Sequence, residues 1–176
     1  MTDLVPALLG PAFTILPATD RAEYLALRRQ VFVAEQGLFD HHDLDDRDDD
    51  PRTVVLVARS ARGEFLGGVR VGPAVDGPDI GWWQGGRLAV IPAARGLRIN
   101  GSAPGTPAAR GGKGIRSALG GRGIGSALVR AACAYAENAG ALRFDATVQP
   151  RNERVFAHLG WDRVRETTVA GRPHVL

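Results

Sequence analysis

The sequence predicts a mixed α/β domain built on a central, partly antiparallel sheet. Three observations carry that prediction. Two runs rich in β-branched and apolar residues, 53–58 and 65–71, flank the turn Ser60-Ala61-Arg62-Gly63 and read as a hairpin. A further strand pattern, 82–91, leads through a glycine-rich stretch into an amphipathic helix with Ile124, Leu128, Ala131, Ala132, Tyr135 and Ala139 on one face. Beyond that helix the pattern continues as strand, short helix and strand up to residue 176.

Taken in order, residues 13–16 form the first candidate strand. Asp20-x-x-Glu23 has the form of a capping box, and Tyr24, Leu25, Leu27, Arg28, Val31 and Phe32 follow at helical spacing until Gly37. An acidic loop separates this helix from the hairpin. Residues 82–91 end at Pro92, and Gly140 stands at the C′ position of the amphipathic helix. Leu142, Phe144, Ala146 and Val148 then alternate with Arg143, Asp145, Thr147 and Gln149, giving a strand with an apolar and a polar face. Asn152 is expected to N-cap a short helix carrying Val155, Phe156 and Leu159, which Gly160 ends. Residues 161–169 and 173–176 read as strands.

Size and composition narrow the class. A chain of 176 residues with 44% hydrophobic residues is expected to be one domain with a proper core. No apolar run approaches the roughly 20 residues needed to span a bilayer. The segment MTDLVPALLGPAFTILP has no basic start and is broken by three prolines, so no secretory signal is expected and a cytoplasmic location follows. A single cysteine, Cys133, excludes an internal disulfide and a cysteine-based zinc site. Charge is uneven: seven of residues 40–50 are Asp, whereas 95–122 holds six basic side chains and no acid. Asp43-x-Asp45-x-x-Asp48 is not a calcium loop, because Asp48 and Val54 stand where such a loop needs Gly and Glu. No metal is predicted. A basic segment beside a glycine loop suits a polyanionic small molecule. Without a recognition helix or stacking aromatics, nucleic acid is not expected.

Residues 92–125 are anomalous. GGKGIRSAL at 111–119 and GGRGIGSAL at 120–128 differ at two of nine positions, and PAARG occurs at 92–96 and again at 107–111. These are tandem duplications, too short to be structural repeats. Composition this poor in large apolar residues predicts a mobile surface insert over about 97–121. Its removal would join RLAVIPAARG to RGIGSALVRAACAYA, an ordinary strand-to-helix connection. Only the second glycine copy leads into the amphipathic helix, so that copy is the working one. Strand, glycine loop and helix N-terminus in that order aim free N–H groups and a positive dipole end at one point, where a pyrophosphate is the natural occupant.

With the insert set aside, the chain resembles the GNAT family of acetyl-CoA-dependent N-acetyltransferases. The family's Gln/Arg-x-x-Gly-x-Gly/Ala motif is matched by Gly120-Gly121-Arg122-Gly123-Ile124-Gly125, except that Gly120 replaces the Gln or Arg. Joining Arg95-Gly96 to Arg122 restores the pattern, so the displaced arginine is Arg95. A second motif is similar to Asn152-x-x-Val155-Phe156-x-x-Leu159-Gly160-Trp161. More narrowly, VFVAEQGLFD with the following Asp cluster, WWQGGRLAV, FDATVQPRN, FAHLGW and GRPH resemble a bacterial GNAT subgroup from nitrilase-containing gene clusters.

That resemblance implies the GNAT fold and transfer of an acetyl group from acetyl-CoA to a primary amine of a small molecule; the sequence leaves the oligomeric state open, a homodimer included. The amides of Arg122, Gly123, Gly125 and Ser126, with Arg95, would cradle the pyrophosphate. Backbone groups of Leu88 and Val90, at a splayed bulge of the fourth strand, would pair with the pantetheine arm. The Val90 N–H would polarise the thioester carbonyl, and Asn152 would bond the pantetheine. Many family members protonate the departing thiolate with a Tyr where this chain has Phe156. Water, His158 or His174 are the substitutes for that acid. Glu35 and Asp145 are candidate bases, and the Asp cluster is either a solvated loop or an anionic seat for a cationic acceptor. A non-catalytic module that binds acyl-CoA or a protein partner is the alternative.

Overall fold

The computed structural model describes residues 13–96 and 123–176. Five strands form one sheet in the order β1 (Phe13–Pro17), β2 (Val54–Ser60), β3 (Phe65–Pro73), β4 (Trp82–Val90) and β5 (Arg143–Ala146). The first four run antiparallel to their neighbours, and β5 lies parallel to β4. A separate two-stranded sheet pairs β6 (Glu166–Val169) with β7 (Arg172–Val175). The predicted mixed α/β class and its mostly antiparallel sheet are therefore present. The proposed insert over 97–121, and Arg122, lie outside the described residues.

Helices cover both faces of the sheet, which is why β2 reads as an unbroken apolar run rather than an alternating one. Helix α1 (Ala22–Arg28) continues directly into a π-helical stretch, Arg29–Glu35. Tyr24 packs on Val55 and Val57, and Leu27, Val31 and Phe32 pack on Ala89. Helix α2 (Ile124–Asn138) covers the other face, with Ile124, Leu128, Ala132 and Ala136 against Leu56, Ala58, Val69 and Val71. Gly37 and Gly140, both at positive φ, close the two helices as expected.

Two features of β4 give the molecule its cleft. First, Gly68 pairs with Ala89 and Arg70 with Gly86, so Arg87 and Leu88 together oppose Val69: a β-bulge. Arg87 takes φ +53°, uncommon for a residue with a side chain. The Tyr24 hydroxyl donates a 2.8 Å hydrogen bond to the Arg87 carbonyl and braces that turn of the chain. Second, β5 pairs with β4 only from Trp82 to Gly85. Past Ala146 the chain leaves β4 toward helix α3 (Pro150–His158), and Val148 exchanges hydrogen bonds of 2.7 and 2.8 Å with Val175 of β7. The two parallel strands thus diverge, leaving a wedge beside residues 86–90.

Several local expectations need correction. The Asp20–Glu23 capping box does not form; Arg21 is the N-cap residue of α1, and Asp20 accepts from the Ala22 amide at 2.9 Å. Gln149, not Asn152, caps α3, because Pro150 supplies the first helical residue and places Asn152 inside the first turn. The strand predicted over 142–149 is confined to Arg143–Ala146, with Leu142 90% exposed. Residues 161–165 are irregular, and the following strand is only Glu166–Val169.

Candidate functional site

The open edge of β4 follows from its register. In an antiparallel pair, residues alternate between those that exchange hydrogen bonds and those that turn away. The Ile91 amide donates to the Leu66 carbonyl at 3.0 Å, so the next bonded pair is Gly68 with Ala89. Leu88 and Val90 therefore turn their N–H and C=O groups away from β3, toward the wedge. The Val90 carbonyl is indeed reached from outside the sheet, by Arg95 Nε at 2.9 Å.

Helix α2 begins beside this edge. Gly123 is its N-cap residue, extended and without a side-chain cap. The first intrahelical acceptor is the Gly123 carbonyl, bonded by Ala127 N at 3.1 Å. The amides of Ile124, Gly125 and Ser126 thus precede the helical ladder and find no acceptor among the described residues. A Cβ added at Gly125 would lie 3.8 Å from Val90 Cγ2, which places the first turn against the end of β4. The positive end of a fifteen-residue helix and an outward-turned strand edge meet there.

A cavity of about 310 Å³ fills the wedge. Gln84 to Leu88 form one wall and Phe144 with Ala146 to Gln149 the other, with Phe32, Val129, Phe156 and Trp161 as apolar lining. Asn152 and His174 also border it. Gln149 Nε2 donates to Gln36 Oε1 at 2.7 Å, tying the N-cap of α3 to the end of the π-helical stretch. His174 is buried, and its Nδ1 lies 3.0 Å from the Arg172 carbonyl. A carbonyl only accepts, so Nδ1 carries the hydrogen and Nε2 is left as the basic nitrogen.

Beneath the cavity lies an ion cluster. Arg28, fully buried, reaches Asp43 at 2.7 Å and both oxygens of Asp48 at 2.6 and 2.9 Å. Arg70 pairs with Asp45 at 2.5 Å and with Asp48 at 2.9 Å. Arg87 pairs with Asp43 at 3.2 Å and Asp45 at 3.0 Å. Burial alone would raise the Asp48 pKa, but the Arg28 hydrogen bonds and the Arg70 charge hold it well below the usual carboxylate range. Asp45 is likewise held low by Arg70 and Arg87 against its own desolvation. The acidic run is accordingly neither a fully solvated loop nor an open anionic seat. Asp43, Asp45 and Asp48 are neutralised by arginines from α1, β3 and β4.

The remaining predicted residues are dispersed. Leu88 and Asn152 border the cavity; Val90, Gly123, Gly125 and Ser126 lie at its helix-α2 end. Arg95 is half-exposed and bonds Glu35 at 2.8 Å, and that hydrogen bond holds Glu35 below its ordinary pKa. Neither belongs to the cavity wall. His158 sits on the outer side of α3 with Nδ1 2.6 Å from the Arg154 carbonyl, also away from the wall. Asp145 is buried behind the wall, accepting from Trp82 Nε1 at 2.8 Å and Gln84 Nε2 at 3.1 Å. Between His158 and His174, it is His174 that faces the cavity. Among the described residues no group of His, Cys, Asp and Glu is placed to hold a metal, and no helix is long and apolar enough to cross a membrane.

No protein-family model matches the chain, and no curated protein matches it. Solved structures do. A protein of N-acetyltransferase type from Lactobacillus plantarum aligns at 21% identity over 93% of this chain and 94% of its own, with a TM-score of 0.67. A GCN5-related N-acetyltransferase from Kribbella flavida aligns at 18% identity over 93% and 95%, with a TM-score of 0.61. The CoA-dependent acyl-homoserine lactone synthase BjaI, solved with SAM and isopentyl-CoA, aligns at 20% identity over 95% and 81%, with a TM-score of 0.58. The fold is that of the GNAT acyltransferases.

Proposed function

We propose that this chain belongs to the GNAT family and moves an acetyl group from acetyl-CoA to the primary amine of a small molecule by direct attack. The observation that carries the reading is the wedge beside β4. There Leu88 and Val90 offer strand-like hydrogen-bonding groups next to the first turn of α2, whose amides find no acceptor among the described residues. A pantetheine arm is an extended chain of amides and pairs along such an edge as an added strand would. The amides of Gly123, Gly125 and Ser126, with Arg122 from the preceding segment, receive the diphosphate. Arg95 joins them by exchanging Glu35 for a phosphate oxygen, and Asn152 bonds the arm at the mouth. The segments VFVAEQGLFD, WWQGGRLAV and FAHLGW support a place in the nitrilase-cluster subgroup.

In the transfer, an alkylammonium of pKa about 10.4 first loses a proton. The amine lone pair then attacks the thioester carbon, and the oxyanion is met by the Val90 N–H, with the Leu88 N–H two residues deeper in the wedge. Collapse breaks the C–S bond, the nitrogen sheds its second proton to solvent to leave the neutral amide, and the thiolate takes a proton. Asp45 is ion-paired and Arg47, Arg70 and Arg87 stay protonated, so His174 is the side chain of the wall suited to carry protons. Its Nε2 accepts from the ammonium and returns a proton to sulfur.

Thermal melting with acetyl-CoA at 100 times its dissociation constant should add about 2.7 kcal/mol of stability. Thiol release across an amine panel then reads turnover. Cys133, whose thiol is pushed up to about 11 by burial, contributes little background near neutral pH. Absence of a melting shift at millimolar acetyl-CoA would sink the assignment. One observation favours a second reading, a non-catalytic acyl-CoA-binding module. Phe156, edge-on to Trp161 with ring centroids 5.4 Å apart, puts hydrocarbon where many family members place the tyrosine acid. A melting shift without thiol release from any amine would select that reading.

A further inference from the structure

The ion cluster leaves one arginine of the cavity wall unmatched. Arg70 and Arg87 each face two carboxylates, and Arg28 behind them faces two of the same three, Asp43 and Asp48. Arg47 lines the same cavity, but its guanidinium donates only to neutral oxygens among the described residues, Gln84 Oε1 and the Ala74 carbonyl, the latter at 2.6 Å. No carboxylate among the described residues lies within ion-pair distance of it. Among the described residues Arg28, Arg70 and Arg87 share Asp43, Asp45 and Asp48, and Arg143 takes Asp145, which leaves Arg47 without a direct ion-pair partner. The Gln84 amide is fixed by the opposite end of its own side chain, Nε2 donating to Asp145, so its oxygen is committed to Arg47. Burial and the adjacent Arg70 disfavour the Arg47 charge, while Asp45, Asp145 and Asp76 favour it from beyond ion-pair distance. A guanidinium in this setting gains strongly from an incoming anion.

Position separates this point from the cofactor. Arg47 touches the Gln84 end of β4, whereas Val90 and the first turn of α2 lie at the other end. From Gln84 to Leu88 the strand spans on the order of 10 Å. We propose that Arg47 is the anchor for an anionic group on the acceptor, so that the substrate is a short amine carrying a carboxylate or phosphate at its far end. This rests on the acyltransferase reading above and adds the substrate class to it. The anion sits on Arg47 while the amine points along β4 to the Leu88 end of the wedge. An acidic seat for a cationic acceptor, as the Asp-rich run alone suggests, is thereby reversed.

Four probes test it on the full chain with CoA present: 4-aminobutanoate, 3-aminopropyl phosphate, butylamine and 1,4-diaminobutane. Calorimetry should show at least one anionic amine binding about 10- to 100-fold tighter than butylamine, as expected for a charge-assisted pair. The carboxylate and phosphate arms say which anion is meant. Arg47→Met should erase the advantage and Arg47→Lys keep part of it. In thiol release, Arg47→Met should raise KM for the anionic amine by about 10-fold or more relative to any change in that for butylamine. Equal binding of all four probes, a preference for the diamine, or an anion preference that survives Arg47→Met would overturn the proposal. Should Arg47→Met not fold, the wild-type panel alone decides. Anionic binding without thiol release would remove the transferase reading and leave the subsite. Thiol release without anion preference would do the reverse.

Discussion

Arg28 keeps its charge inside the protein only because Asp43 and Asp48 surround it, and Asp48 serves Arg70 as well. Replacing Asp48 by Asn leaves two guanidiniums short of a counter-charge in a buried place. The expected loss is about 3–5 kcal/mol, read as a lower urea midpoint at unchanged slope. Neutralising the half-exposed Arg163, which bridges Glu153 and Glu166 on the surface, should leave that midpoint where it is. At the cavity, His174→Ala should lower acetyl transfer about 100-fold while acetyl-CoA still raises the melting temperature by its wild-type increment. Equal losses in both measurements would make His174 a structural residue. Local features are legible in the sequence: Gly123 and Gly125 mark a helix start by their spacing, whereas Leu88 and Val90 become candidates only through the GNAT resemblance. The Asp cluster is not, because its partners Arg28, Arg70 and Arg87 come from three elements up to 44 positions away in sequence.

The wedge depends on how closely β3 and β4 approach at the bulge. A Cβ at Gly67 would stand 2.5 Å from the Ala89 carbonyl oxygen and 3.0 Å from Val90 Cα, both backbone atoms that have nowhere to go. Gly67→Ala should therefore destabilise the protein by about 1–3 kcal/mol and loosen the β3–β4 ladder. Faster hydrogen exchange at Ala89 and Ile91, with α2 unaffected, is the measurement that checks it. Elements with long, regular periodicity, α2 and the β2–β3 hairpin, can be read from sequence almost to their ends. Those after β5 cannot. Val148 abandons its own strand for a bridge to Val175, a contact across 27 positions that no local pattern encodes. The α3 cap is misread for a different reason: Pro150 is a first-turn signal in plain view, and Asn152 draws attention from it.

At the scale of the molecule, the ion cluster makes the fold acid-sensitive. Asp45 and Asp48 are partly buried among arginines that hold both carboxyls below their ordinary pKa, and Asp50, paired with Arg52, is lowered to about 2. In the unfolded chain the same groups bind protons near pH 3.9. Between the unfolded and folded values the unfolded state carries more protons, so stability must rise with pH through that window. The contribution is complete above about pH 5 and is lost as pH falls toward the folded values. Denaturant titrations from pH 7 down to 2 should show a plateau followed by a steep decline beginning near pH 4. Asp48→Asn, already weaker at neutral pH, should follow a shallower acid limb, because the residue that supplies much of the proton linkage is gone. Acid limbs of equal slope in the two proteins would mean that the cluster under the cavity does not hold the sheet, the acidic loop and α1 together.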